Sequence, residues 1–108
     1  MKERPSNGDR LLLMLAALAN PHRLRIIAAL ASGGRNYVSQ LARELGISRH
    51  LLHLHLQRLE EAGLVSSKLE LSQDGKALNY FEVRNFDLEI TPPAIAKAAP
   101  SLTAKAEP

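Results

Sequence analysis

What most constrains this chain is its punctuation. Asn20-Pro21, Gly33-Gly34, Gly46, Gly63 and Asp74-Gly75 separate its apolar runs. Such residues end helices or turn strands, so the chain is divided before any pattern inside the segments is read. The first segment, "DRLLLMLAALAN", is dense in good helix formers, with Asp9 expected as its cap and Asn20-Pro21 as its end. Between Leu11 and Leu18 apolar residues cover nearly the whole circumference. A chain of 108 residues holds one compact domain with little interior to spare. That helix is either buried centrally or meets a second subunit on part of its surface, and the second is expected.

Asn20 also serves as an N-cap, with Pro21 in the first position of the next helix. Its segment "HRLRIIAALASGG" is read with Leu24, Ile27, Ala28 and Leu30 inward and Arg23 and Arg25 largely outward, toward solvent or phosphates. After an extended "NYV", Ser39 is the expected cap of "QLARELG". There Leu41, Ala42 and Leu45 form one stripe and Gly46 is the stop.

The segment "SRHLLHLHLQRLEEAGLV" poses a choice, because leucine and histidine alternate between Leu52 and Leu56 as in a half-buried strand. On a helical wheel, at roughly 100° per residue, Leu56, Leu59 and Gly63 all fall within about 40° of Leu52. Alternation stops after five residues while the helical period continues. A helix over Ser48–Ala62 is predicted, capped by Ser48 and stopped by Gly63. His50, His53, Leu54 and Gln57 lie on the face away from Leu52, with Arg49 near the N-terminus, and His55 at the margin as a packing histidine bonded to nearby backbone. His22, in the first turn of its own helix, is read as a surface residue.

"LVSSKLELS" and "ALNYFEV" alternate like strands around "QDGK", whose Asp-Gly marks a hairpin turn. From Thr91 the text is rich in alanine and contains four prolines. One helical turn is expected from Pro93 and disorder beyond Pro100. The fold class is mainly α with a small β-hairpin (α+β). Residues 1–8 are read as a flexible tail, 9–90 as the domain, and 91–108 as a short helical segment followed by a disordered tail.

Charge is uneven. Residues 1–68 carry ten lysines and arginines against five acidic residues, a net of +5, and residues 69–108 carry four against six, a net of −2. A basic front half is either a solvated face or a surface turned toward a polyanion. The chain has no cysteine, so disulfides and thiolate chemistry are excluded. His50 and His53 have a spacing that can hold a metal, but His55 lies on another side and no carboxylate completes the set. No phosphate loop, paired carboxylates or nucleophile–base pair suggests an enzyme. No apolar run approaches the roughly 18 residues of a membrane span, and no signal-peptide pattern is present, which fits a cytoplasmic protein.

As the second helix of a helix-turn-helix, the outward face of Ser48–Ala62 has a role. Arg and His can donate to guanine, Gln can bridge adenine, and a leucine can pack on a thymine methyl. The stretch "ALANPHRLRIIAAL…VSQLARELGISRHLLHLHLQRLEEAGLV" resembles the winged helix-turn-helix of ArsR-type transcriptional regulators over about residues 15–85. The resemblance implies a homodimer in the prokaryotic cytoplasm, associated with the nucleoid, that binds double-stranded DNA at a pseudo-palindrome, as a repressor. It implies Gln40–Leu45 as positioning helix, Ser48–Ala62 as recognition helix and Lys68–Arg84 as wing. Expected DNA-binding residues are Ser39, Gln40, Ser48, Arg49, His50, His53, Leu54, Gln57, Lys68 and Lys76. Expected dimer residues are Leu11, Leu12, Met14, Leu15, Leu18 and Ile95.

The family's metal-sensing positions are not matched: "YVSQLA" lacks the thiol, and the C-terminal segment has no histidine. No cofactor is expected, and any effector is unknown. The four histidines gain charge as pH falls, so DNA binding is expected to tighten. Rival readings are an architectural DNA-binding protein without an operator and a winged helix used for protein contact.

Overall fold

The structure is a computed structural model that describes residues 6–103. Five helices and three strands follow one another as α1 (Asn7–Leu18), α2 (Pro21–Gly33), β1 (Asn36–Tyr37), α3 (Val38–Leu45), α4 (Arg49–Glu61), β2 (Val65–Leu71), β3 (Ala77–Val83) and α5 (Pro92–Ala98). A 3₁₀ turn, Ala99–Ser101, extends α5. The strands form one antiparallel sheet in the order β1-β3-β2.

The core gathers residues from the first four helices and the hairpin: Ala17 of α1, Ile26 and Leu30 of α2, Leu41 and Ala42 of α3, Leu52, Leu56 and Leu59 of α4, then Leu64, Val65 and Phe81. Each large aliphatic side chain buried there contributes about 1.5–3 kcal/mol. The inward stripe of α2 differs from expectation. Ile26 and Leu30 are buried and Ile27 and Ala29 pack beside them, whereas Leu24 and Ala28 are exposed. The stripe runs 23, 26, 27, 30, which is helical spacing that begins at an arginine.

Two caps also differ. Ser6, not Asp9, caps α1, its Oγ accepting from the Asp9 N–H at 3.1 Å. The carboxylate of Asp9 instead accepts from Thr103 N at 2.9 Å and Thr103 Oγ1 at 2.7 Å. Those two donors hold it below the usual carboxylate range. α3 begins at Val38, with Tyr37 at the cap and no side-chain cap bond, so Ser39 lies inside its first turn. Elsewhere the stops hold. Asn20 Oδ1 accepts from His22 N and Arg23 N, Ser48 Oγ accepts from Leu51 N, and Gly46 takes the left-handed conformation (φ 68°) that turns α3 into α4.

β1 is only two residues long, Asn36 pairing with Phe81 and Tyr37 with Tyr80. It replaces the expected linker and widens the hairpin into a sheet. Toward the hairpin tip the strands leave the core, and Leu69 and Leu71 are 69% and 76% exposed.

The C-terminal segment is more ordered than its composition suggests. Thr91 caps α5 at Pro92, and Ser101 Oγ accepts from Gly8 N at 2.7 Å while donating to Ala98 O at 2.8 Å. A side chain on Gly8 would come within 2.5 Å of Ala98 O, so a glycine is what lets the first turn of α1 lie on α5. Gly8 is thus part of a buried contact rather than a tail. Residues 1–5 and 104–108, which hold the rest of the two expected tails, lie outside the described residues.

Candidate nucleic-acid interface

The helical reading of the leucine–histidine stretch sorts the side chains of α4 onto two faces. Leu52, His55, Leu56 and Leu59 are buried, whereas Arg49, His50, His53, Leu54 and Gln57 are exposed. These five share the outer surface of one rigid helix, and Leu54 is 48% exposed among them. An isolated exposed leucine is ordinary. One flanked by two histidines, an arginine and a glutamine gives a surface able to meet both polar base edges and a methyl group. Ser48 is at the helix start, where its hydroxyl is engaged as the cap.

The remaining expected contacts are more dispersed. Ser39 and Gln40 are half-buried in the first turn of α3, and Gln40 Nε2 donates to Glu44 Oε1 at 3.1 Å. Lys68 and Lys76 stand on the hairpin with acidic neighbours, Glu70 at 3.6 Å and Asp74 at 3.9 Å. Both lysines are exposed, and pairs of this kind hold a cation weakly, leaving it available to phosphate. Arg58 reaches Glu61 at 4.0 Å. Phe81 is buried, and Tyr80 meets Tyr37 edge to face at 5.7 Å, so the aromatic residues pack the sheet. Arg35, absent from the expected set, lies over the Tyr80 ring at 4.3 Å and bonds Glu70 at 2.8 Å.

Arg23 is the main correction. It does not project outward: its Nε donates to Ala17 O at 2.6 Å, and its Nη1 lies 3.3 Å from His55 Nδ1. The axes of α1 and α2 meet at 92°, which folds the first turn of α2 under the last turn of α1. The signal was available in the sequence, since Arg23 occupies the inward stripe that Ile26, Ile27 and Leu30 continue. His55 is 8% exposed and bonds that arginine rather than backbone, while its Nε2 is buried without a partner. An unsatisfied buried group of this kind costs about 1–3 kcal/mol. His22 is half-buried, its ring 5.2 Å from that of His55. Burial first, then Arg23 and His22, holds His55 below the ordinary histidine value. Its neutral form is therefore favoured in the fold.

The apolar side chains expected at a dimer surface divide in two. Leu11, Leu12, Leu15 and Ile95 line a groove between α1 and α5, closed by Ala98 and Leu102, with a volume of about 180 Å³ and almost no polar lining. Met14 and Leu18 instead pack against the core, beside the groove-lining residues on the wheel of α1. Among the described residues no three histidine or carboxylate side chains are grouped so as to hold a metal ion. Nor is any single helix there long and apolar enough to cross a membrane.

Comparison with known proteins gives concordant findings. Residues 18–67 match the family described as a helix-turn-helix domain. An uncharacterised HTH-type transcriptional regulator of Methanocaldococcus jannaschii is 36% identical over 81 residues, which are 75% of this chain and 83% of that protein. Among solved structures, the homodimeric winged helix-turn-helix DNA-binding domain of a possible ArsR-family transcriptional regulator from Mycobacterium bovis superposes with a TM-score of 0.62 at 29% identity. That match covers 69% of this chain and 64% of the other. NolR from Sinorhizobium fredii, at 23% identity and a TM-score of 0.60, shares the fold over 93% of this chain and 92% of its own length.

Proposed function

Because this chain belongs to the HTH-type transcriptional regulators, with an ArsR-type winged helix-turn-helix that binds DNA, we propose that it is a homodimeric repressor of a pseudo-palindromic operator. The family is one of DNA-binding regulators and not an enzyme class. The observation that carries the reading is the outer face of α4, where His50, His53, Leu54 and Gln57 are exposed together above a fully buried leucine face. In the major groove, His53 and Gln57 would meet base edges, Leu54 a thymine methyl, and Arg49 a phosphate beside the helix N-terminus. Ser39, Gln40 and Ser48 would fix the docking of the two helices, and Lys68 and Lys76 would take flanking phosphates from the wing.

Two copies would meet through the α1–α5 groove, where Leu11, Leu12, Leu15 and Ile95 need an apolar partner; the Mycobacterium bovis relative is itself a homodimer. The two recognition helices would then lie about 34 Å apart, one turn of DNA. A dimer seated on an operator within a promoter would act by exclusion, hence repression. Such a protein would work in the prokaryotic cytoplasm, on the nucleoid. The modest net charge of +3 favours operator reading over architectural coating.

The test is selection of bound DNA from fragmented genomic and random libraries at two salt concentrations. An inverted repeat with half-sites one turn apart is expected, with affinity falling steeply as salt rises. Binding without a shared motif would leave the architectural reading. No retention even at low salt would leave a protein-interaction module.

A further inference from the structure

We propose that Arg23 is a positioning residue for the recognition helix. It ties α4 to the end of α1 through a neutral His55, and protonation of His55 releases the tie and weakens DNA reading. The proposal rests on α4 being the DNA-reading helix. It assigns a role to a half-buried arginine and a buried histidine that lie outside the proposed DNA contacts.

The geometry is that of a three-way joint. Of the last four carbonyls of α1, Leu15 O accepts from Ala19 N and Leu18 O from Asn20 N. The other two, Ala16 O and Ala17 O, accept from Arg23 Nη2 at 3.4 Å and Nε at 2.6 Å. A cation there also faces the negative end of the helix dipole. The remaining arm, Nη1, reaches His55 Nδ1 at 3.3 Å. One guanidinium from α2 thus touches α1 and α4 together.

The joint works with one protonation state. Arginine has donors only, so Nδ1 must accept and the ring proton of His55 sits on Nε2. A second proton, added at Nδ1, would remove the acceptor and set an imidazolium against a guanidinium. The surroundings offer little relief. From α2 come Arg23 and His22, and from α4 itself Arg58 and Glu61 line the same cavity of about 320 Å³. Where α1 borders this region it contributes Leu13, Ala16 and Ala17, none with a titratable side chain. Glu61, the one acid among these groups, already faces Arg58. Leu54 and Gln57 line that cavity too, so the reading face borders the joint directly.

DNA affinity can also vary with pH through groups outside the joint. Comparing His55→Gln with the wild type separates their contribution from that of the joint. Affinity for the selected DNA would be measured by fluorescence anisotropy from about pH 8 to about pH 5, a range that brackets histidine titration. Backbone amide shifts of residues 16–19 and 51–58 would be followed by NMR in the same buffers without DNA. The expected result is that wild-type affinity falls relative to His55→Gln by about threefold or more across the range. The amides of both α1 and α4 should titrate together in the wild type and lose that transition in the variant.

Should His55→Gln fold poorly, Arg23→Gln serves: the His55 ring should then titrate closer to its ordinary value and the α1 amides should no longer follow it. A wild-type-to-variant affinity ratio that stays flat with pH, or α1 amides that ignore His55, would overturn the proposal. If the wild type bound no DNA at any pH, the DNA-reading premise would fall and the proposal with it. The amide titration would still show whether the joint itself exists, so the two failures are distinguishable.

Discussion

The two faces of α4 draw on the same two residue types to opposite ends. On the inner face Leu52, Leu56 and Leu59 are buried and His55 is enclosed; on the outer face Leu54, His50 and His53 meet solvent. Leucine and histidine therefore carry no fixed role here. A residue's angle about the helix axis decides whether a leucine holds the core or faces solvent. It also decides whether a histidine is a captive acceptor or a free donor. Because the two faces are fused in one rigid element, a disturbance inside would be transmitted to the proposed DNA-reading surface.

The largest expected effect tests the inner face. Leu56→Ala should destabilise the fold by about 2–5 kcal/mol, the range for truncating a buried leucine, read from urea unfolding. Leu54→Ala, two positions earlier, should change stability by no more than about 0.5 kcal/mol. Comparable losses at both positions would mean that the two faces are wrongly assigned.

The outer face should respond in binding rather than in stability. Gln57→Ala or His53→Ala is expected to relax preference at individual base pairs by about 1–3 kcal/mol, with the unfolding midpoint unchanged. Lys76→Ala, on the wing, should weaken all sequences alike and lower the salt slope by about 1. If Gln57→Ala left the preferred sequence untouched, α4 would not be the reading helix.

That partition is largely legible in the sequence, and for a local reason. Ser48 and Gly63 bracket α4, and the 3.6-residue period between them fixes which side chains share a face. What escaped notice depends on partners remote in sequence. Asp9 could not be seen to choose Thr103, which lies 94 residues away. Asn36 and Tyr37 become a strand only because β3 passes beside them. The inward turn of Arg23 was legible in the stripe 23, 26, 27, 30, but its partner Ala17 O follows from the 92° bend between α1 and α2, which sequence spacing does not encode. Met14 and Leu18 share α1 with the groove-lining leucines, and its nearly uniform apolarity gave no sign of which side would face the core. The outer face of α4 was thus readable as a candidate site, whereas the joint beneath it was not.

The histidines sharpen the comparison through pH. His55 is held below its ordinary value chiefly by burial, so folding favours its neutral form. The sign follows from linkage: its contribution to stability is complete above the unfolded value near 6.5 and is lost as pH falls through the depressed folded value. Wild-type protein should therefore lose stability on mild acidification more steeply than His55→Gln, as read by unfolding midpoints across that window. Equal slopes would show that His55 does not remain neutral in the fold.

The smallest effect is expected where the two faces meet. Arg58 and Glu61 lie three residues apart along α4, 4.0 Å from one another, with side chains 71% and 49% exposed. Solvent screens such a pair, and holding two long side chains together costs rotamer freedom, so Arg58→Ala should change stability by less than about 0.5 kcal/mol. Its consequence should appear in DNA binding, if at all, since Arg58 borders the same cavity as Leu54 and Gln57. A uniform loss of affinity across sequences, steeper at low salt, would place Arg58 on a phosphate. A change confined to certain base pairs would extend the reading face by one more turn. A marked loss of stability would show that the boundary between the faces lies farther toward solvent than the burial of Leu59 indicates.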